Sequence, residues 1–280
     1  MCIHCESLTF MSFTGIVARV KENDENVKGI RSVEPHFGWE AAKIIAGALT
    51  RNPYVTYLRL GKNIGDVGAE ALARMLEHNT TLKVLDLSGN SSITARGVDA
   101  LANTLKKNTT LTTLNLSMTN VKHKACRALS SMLAVNETLT TLDVSSNDIA
   151  DRGLKALLEF IQKRNRGLTT LSIANNRITS EGAKDLADTV LANTTLTSIN
   201  ISYNFKAPIP IPLTNALESN YSLTTFETNI VSSKISDILF NNKYRKLYIT
   251  LMLLFSEYGS IVPWLVVKRI VDDATHMMKL

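Results

Sequence analysis

Three soft metal ligands fall within four residues at the start of the chain: Cys2, His4 and Cys5. Two thiolates and an imidazole suit zinc, but a tetrahedral site takes a fourth ligand. The next Cys/His pair, His123 and Cys126, lies far along the chain. No metal and no cofactor is therefore expected, and three cysteines are too few for a disulfide framework. Catalysis has no better footing. No nucleophile, base and orienting group recur at related positions, and no glycine-rich phosphate loop occurs. No catalytic residue is nominated, and the expectation is a protein that is not an enzyme.

The chain carries a net charge of +6, in short clusters: Lys106 and Lys107; Lys122, Lys124 and Arg127; Lys163, Arg164 and Arg166; Lys243, Arg245 and Lys246. Apart from Tyr244 in the last cluster, no aromatic residue interleaves with them to stack bases. They read as a solvated outer face, and no nucleic acid is expected. What remains is recognition by polar and aromatic side chains set among leucines: Tyr57, Arg59, Asp86, Asn115, Asp143, Ser172, Asn200 and Tyr203.

The elements that must position them repeat. Aligned on their first apolar residue, copies start at Val55, Leu82, Leu111, Leu139, Leu168, Leu196 and Leu223, in steps of 27, 29, 28, 29, 28 and 27 residues. The first half of a copy alternates, as in Leu82, Leu85, Leu87 or Leu139, Leu142, Val144, and this period of two predicts a short strand with one buried side. An asparagine follows at a near-constant place: Asn63, Asn90, Asn120, Asn147, Asn176 and Asn204. A carboxamide both donates and accepts, so a stacked row of them is expected to satisfy the backbone where each strand turns toward a helix. The second half has helical spacing, as in Gly97, Leu101, Leu105 or Ala125, Leu129, Leu133. Asp66, Thr94, Asp151 and Ser180 stand where helix N-caps are expected.

The pattern L-x-x-L-x-L-x-x-N followed by an amphipathic helix, in units of 28 to 29 residues, resembles the ribonuclease-inhibitor-type leucine-rich repeat. The resemblance implies an α/β solenoid, a horseshoe with parallel strands on the concave face, helices on the convex face and a helical C-terminal cap. The expected organisation is an N-terminal cap at 1–26, leucine-rich repeats at 27–230 in about eight coils with the first and last degenerate, and a C-terminal helical cap at 231–280. In that geometry Tyr57, Arg59, Asp86, Asn115, Asp143, Ser172, Asn200 and Tyr203 line the concave face. Tyr57 and Tyr203 then either anchor a partner at the two ends or wall off the core. The implied function is a non-catalytic protein-protein interaction module, with an effector of an intracellular bacterium acting on a host protein as one form of it. Two alternatives stay open: a GTPase activator resembling the Ran activators, and an actin-capping protein resembling tropomodulin. The Ran activators present an arginine from a turn near the strand ends. Here those turns carry Lys62, Gly89, Met118 and Ser146, and Arg59 falls on a strand.

The ends differ from the repeats. Phe13, Ile16, Val17 and Val20 predict a short capping helix, and a degenerate copy follows with Ile30 and a helix from Trp39 to Thr50, Pro35 standing in place of the ladder asparagine. After Asn204 the run FKAPIPIP precludes a helix until Pro212 opens one. It reads as a docking loop that displays Phe205, Ile209 and Ile211, or as a rigid outer connection. The last copy places Thr228 where its third apolar residue belongs, and the ladder is expected to end. From Leu247 to Val267 the only charge is Glu257, but Gly259, Ser260 and Pro263 beside it suit a turn between packed helices, so a cap is expected and no membrane span. No secretory signal is visible, and sequons at Asn115 and Asn200 would put glycans on strands. The expectation is a cytoplasmic monomer, or one delivered into a host cytosol.

Overall fold

A strand residue between two leucines points away from them, so each apolar-polar-apolar run buries one side and leaves the other open. The computed structural model describes residues 13–32, 38–205, 208–230 and 232–243. Its strands are β1 (Gly29–Ser32), β2 (Tyr57–Leu60), β3 (Val84–Asp86), β4 (Thr113–Asn115), β5 (Thr141–Asp143), β6 (Thr170–Ser172), β7 (Ser198–Asn200) and β8 (Thr225–Glu227). They form one parallel eight-stranded sheet in chain order. The register carries the repeat: Leu58, Leu85, Leu114, Leu142, Leu171 and Ile199 pair side by side, and all are fully buried.

Parallel neighbours need a crossover, and every crossover here contains a helix. α1 (Phe13–Lys21) precedes β1; α2 (Trp39–Leu49), α3 (Gly65–Leu76), α4 (Ala95–Leu105), α5 (His123–Leu133), α6 (Ala150–Lys163), α7 (Ser180–Ala192) and α8 (Ile211–Ser219) follow in turn. Gly97, Leu101 and Leu105 line the buried side of α4, as Ala125, Leu129 and Leu133 line that of α5. Truncating one such leucine to alanine costs about 2–5 kcal/mol. At the first end α1 buries Ile16, Val17 and Val20 and packs on α2. At the other, a helix over 233–243, α9, buries Ile235, and the Asn242 amide donates to the carbonyls of Asn220 and Leu223, both at 2.8 Å. Pro35, the Cys2–Cys5 cluster and the apolar run from Leu247 lie outside the described residues. Among the described residues no helix is long and apolar enough to cross a membrane.

The asparagine row after the strands exists, with one correction. Asn147 shows its chemistry: Nδ2 donates to Leu116 O (2.7 Å) and Val144 O (3.0 Å), while Oδ1 accepts from the Thr119 and Val121 N–H groups of the preceding coil. Asn90, Asn176 and Asn204 repeat the pattern. Asn120 does not belong to it. The place in that coil is held by Thr119, three residues after Leu116, whose hydroxyl donates to Leu116 O at 2.7 Å. Asn63, three residues after Leu60, stands at the first end of the row, exposed and with a left-handed backbone, φ 73°.

A second asparagine row runs along the helix ends. Asn52, Asn79, Asn108, Asn136, Asn165, Asn193 and Asn220 are all buried. In each, Nδ2 donates to a carbonyl at the end of the preceding coil's helix. In each, Oδ1 also accepts the N–H of the first apolar residue of the next strand run, from Val55 to Leu223. Helix C-termini leave unsatisfied carbonyls, and here the following coil supplies their donors.

The N-caps are also shared between coils. Thr94 caps α4, but α7 is capped by Thr179 and not Ser180. Asp66 and Asp151 lie inside the first turns of α3 and α6 and serve the next helix instead. Asp66 accepts from the Thr94 N–H (2.7 Å), the Thr94 hydroxyl (2.8 Å) and the Gly97 N–H (3.0 Å), and Asp151 takes both Thr179 donors. A Cβ on Gly97 would stand 2.7 Å from Asp66 Oδ1, which is why that helix head carries glycine.

Candidate partner-binding face

The pleat sends one residue of each strand pair of leucines outward, and the register aligns those residues across the sheet. The central row reads Arg31, Arg59, Asp86, Asn115, Asp143, Ser172, Asn200 and Glu227. The row beside it holds Tyr57 and Val84, then only threonine and serine from Thr113 to Thr225. Seven of the eight nominated face residues thus fall in these two rows. Tyr203 sits on the turn after β7, 71% exposed, with φ 62°. Sequence reasoning does not reach Arg31, because the first copy is degenerate; its one signal is Ile30 beside it in the same alternation.

These side chains are held by their own turns. Asp86, Asn115, Asp143 and Asn200 each accept, through Oδ1, the N–H two residues on: Ser88 (2.9 Å), Ser117 (2.8 Å), Ser145 (2.9 Å) and Ser202 (2.9 Å). Aspartate and asparagine do this equally well, which explains why both occur at one structural position. The second oxygen or the amide is then left to face outward. Asp86 Oδ2 lies 3.4 Å from Arg59 Nε, so this arginine is already engaged within the chain. Asn200 Nδ2 donates to Glu227 Oε2 at 2.6 Å, and the hydroxyls of Ser145 and Ser172 are 2.6 Å apart.

The proline segment does not display what the sequence reading placed there. Phe205 and Ile209 are buried, at 9% and 7% exposure, and join the core under α8. Prolines remove the helix from this stretch, but the space beneath it still has to be filled with apolar groups. Ile211 alone is exposed, at 73%, at the head of α8, where Pro212 occupies the first turn. Cys126 is buried within α5, and that burial pushes its thiol up to about 12, which keeps it protonated and unreactive. Among the described residues no group of His, Cys, Asp and Glu is placed to hold a metal ion. A hollow of about 600 Å³ lies at the ends of α3 and α4, lined by Glu77, Asn103, Thr104 and Lys107, away from the sheet face.

The family model described as Leucine Rich repeat matches five segments, residues 51–73, 78–102, 107–130, 135–158 and 164–187. Among solved structures, the chain is similar to the actin-binding site 2 of leiomodin-1, with 16% identity, a TM-score of 0.43, and 66% of this chain and 95% of that one covered. It is also similar to the tropomodulin C-terminal domain of Caenorhabditis elegans, with 21% identity, a TM-score of 0.46, and 55% and 98% covered. At these scores neither likeness carries an argument about what this chain binds. No curated protein matches it. The family model does not distinguish the ribonuclease-inhibitor subtype, which rests on the repeat pattern and its length. The five matched repeats and the eight-stranded parallel sheet with its alternating helices show a leucine-rich-repeat solenoid fold.

Proposed function

We propose that the chain is a non-catalytic interaction module that takes a partner protein on the open face of its sheet. One observation carries the reading: the central row is polar, in register across eight strands, and pre-set by side chain to backbone hydrogen bonds. Ordering such short, already restrained groups costs little entropy on binding. Tyr57, Arg59, Asp86, Asn115, Asp143, Ser172, Asn200 and Tyr203 are the proposed contacts, with Tyr57 and Tyr203 as the aromatic anchors at its two ends.

The GTPase-activator alternative gains no support. Arg59 is on β2 and paired to Asp86, where an activator would need a free arginine on a turn. The actin-binding description of the leiomodin structure stays with leiomodin at 16% identity. The test is affinity capture from a eukaryotic cell lysate, comparing the wild type with the Tyr57→Ala, Arg59→Ala, Asp143→Ala triple variant, its fold checked by circular dichroism. A partner held by the wild type and lost by the folded variant is the expected result. Equal retention by both would move the site off this face and sink the reading.

A further inference from the structure

The charges of the central row are ordered and not balanced. At one end Arg31 and Arg59 are side by side in register, and like charges placed so repel. Asp86 neutralises Arg59. Arg31 is exposed and has no ion pair among the described residues. Two strands beyond Asp86 stands Asp143, at the same place in its coil and with the same Oδ1 bond to its turn. Its row neighbours are Asn115 and Ser172, neither of them a cation. The seat that Arg59 fills beside Asp86 is therefore vacant beside Asp143. At the far end Glu227 is exposed and, among the described residues, meets only the neutral Asn200 amide. Among the described residues, the charges left without an ion pair in this row read plus, minus, minus from β1 to β8.

Resting on the partner-binding reading of this face, we propose that its occupant is one α-helix of a partner protein, acidic in its first turn and basic toward its C-terminus. It lies across the strands with its N-terminus over Arg31 and its basic residues against Asp143 and Glu227. The order of charge favours a helix on physical grounds. Acidic groups at a helix N-terminus and basic groups at its C-terminus are the arrangement that its own dipole stabilises, so one segment satisfies its own field and this face together. The spacing agrees. Seven strand steps of about 4.8 Å span about 34 Å, the length of a helix of about 22 residues. Asp143 and Glu227, three steps apart, call for cations separated by about 14 Å, near three helical turns on one face. Threonine and serine in the flanking row leave the sheet open to a rod of that width.

The probe is an alanine-based, stapled helical peptide of about 25 residues, with Glu in the first turn and two Arg on one face in the C-terminal half. Its partner probe has the same composition in reversed order. Binding is read by fluorescence anisotropy. The forward peptide is expected to bind at least tenfold more tightly than the reversed one, and salt is expected to weaken it. Asp143→Asn and Glu227→Gln are each expected to lower that affinity about fivefold, in the range of a partly desolvated charge pair. Asp143→Asn keeps the fold, because asparagine already makes the same turn bond at Asn115 and Asn200, and Glu227→Gln keeps an oxygen to accept from the Asn200 amide. Equal binding of the two peptides, or unchanged affinity in Asp143→Asn, would overturn the proposal. A captured natural partner that is lost by the triple variant but fully kept by Asp143→Asn would overturn it as well, while leaving the face itself as the site.

Discussion

Replacing Asn136 by alanine tests the reasoning about what holds one coil to the next. Asn136 is 3% exposed and its side chain makes four hydrogen bonds. Nδ2 donates to Leu105 O (2.6 Å) and Asn108 O (3.0 Å), and Oδ1 accepts from the N–H groups of Thr138 (3.0 Å) and Leu139 (2.7 Å). Alanine leaves all four backbone groups without that partner in the interior. At roughly 1 kcal/mol for each, the expected loss is about 4 kcal/mol. Asn120, partly exposed and outside both asparagine rows, is the control; its alanine variant is expected to stay within about 0.5 kcal/mol of wild type. Asn136→Asp keeps the acceptor but turns the donor into a carboxylate oxygen facing two carbonyls, so it is expected to cost at least as much as alanine. Urea unfolding followed by far-ultraviolet circular dichroism reads all three. A midpoint for Asn136→Ala no lower than that of Asn120→Ala would refute the account.

Gly167→Ala puts a Cβ against the backbone of Glu137 in the neighbouring coil, where nothing flexible can yield, and is expected to destabilise by about 2–3 kcal/mol in the same assay. Gly47→Ala, within α2 and with open space around its Cβ, is expected to stabilise by about 0.5–1 kcal/mol. Cys126 is expected to resist an aromatic disulfide reagent in the native protein carrying Cys2→Ser and Cys5→Ser, and to react once urea unfolds it. Its folded thiol titrates near 12 against 9.0 when free, so its contribution to stability is full below about pH 9.0 and is lost as pH rises toward 12. Cys126→Ala is expected to flatten that part of the stability profile, and an unchanged slope would show that the thiol is not the cause.

The chain by itself determined the period, the strands, the helical spacing and which row of residues faces outward. Each of these depends on the order of apolar and polar residues along a few adjacent positions, which the pleat and the helical turn convert directly into sides. The face residues from Tyr57 to Asn200 were legible for that reason. What only the tertiary structure decided was which polar groups meet across coils. Thr119 takes the ladder place beside Asn147, and Asn120, one position on, does not. Asp66 and Asp151 lie in one helix and cap the next, and the helix-end asparagines reach back to carbonyls of the coil before. Phe205 and Ile209, which the docking-loop reading of the proline run displays, are buried because the core beneath α8 continues there. These contacts join residues about one repeat apart, and their bonds depend on how neighbouring coils stack, a distance and an angle that no single copy encodes.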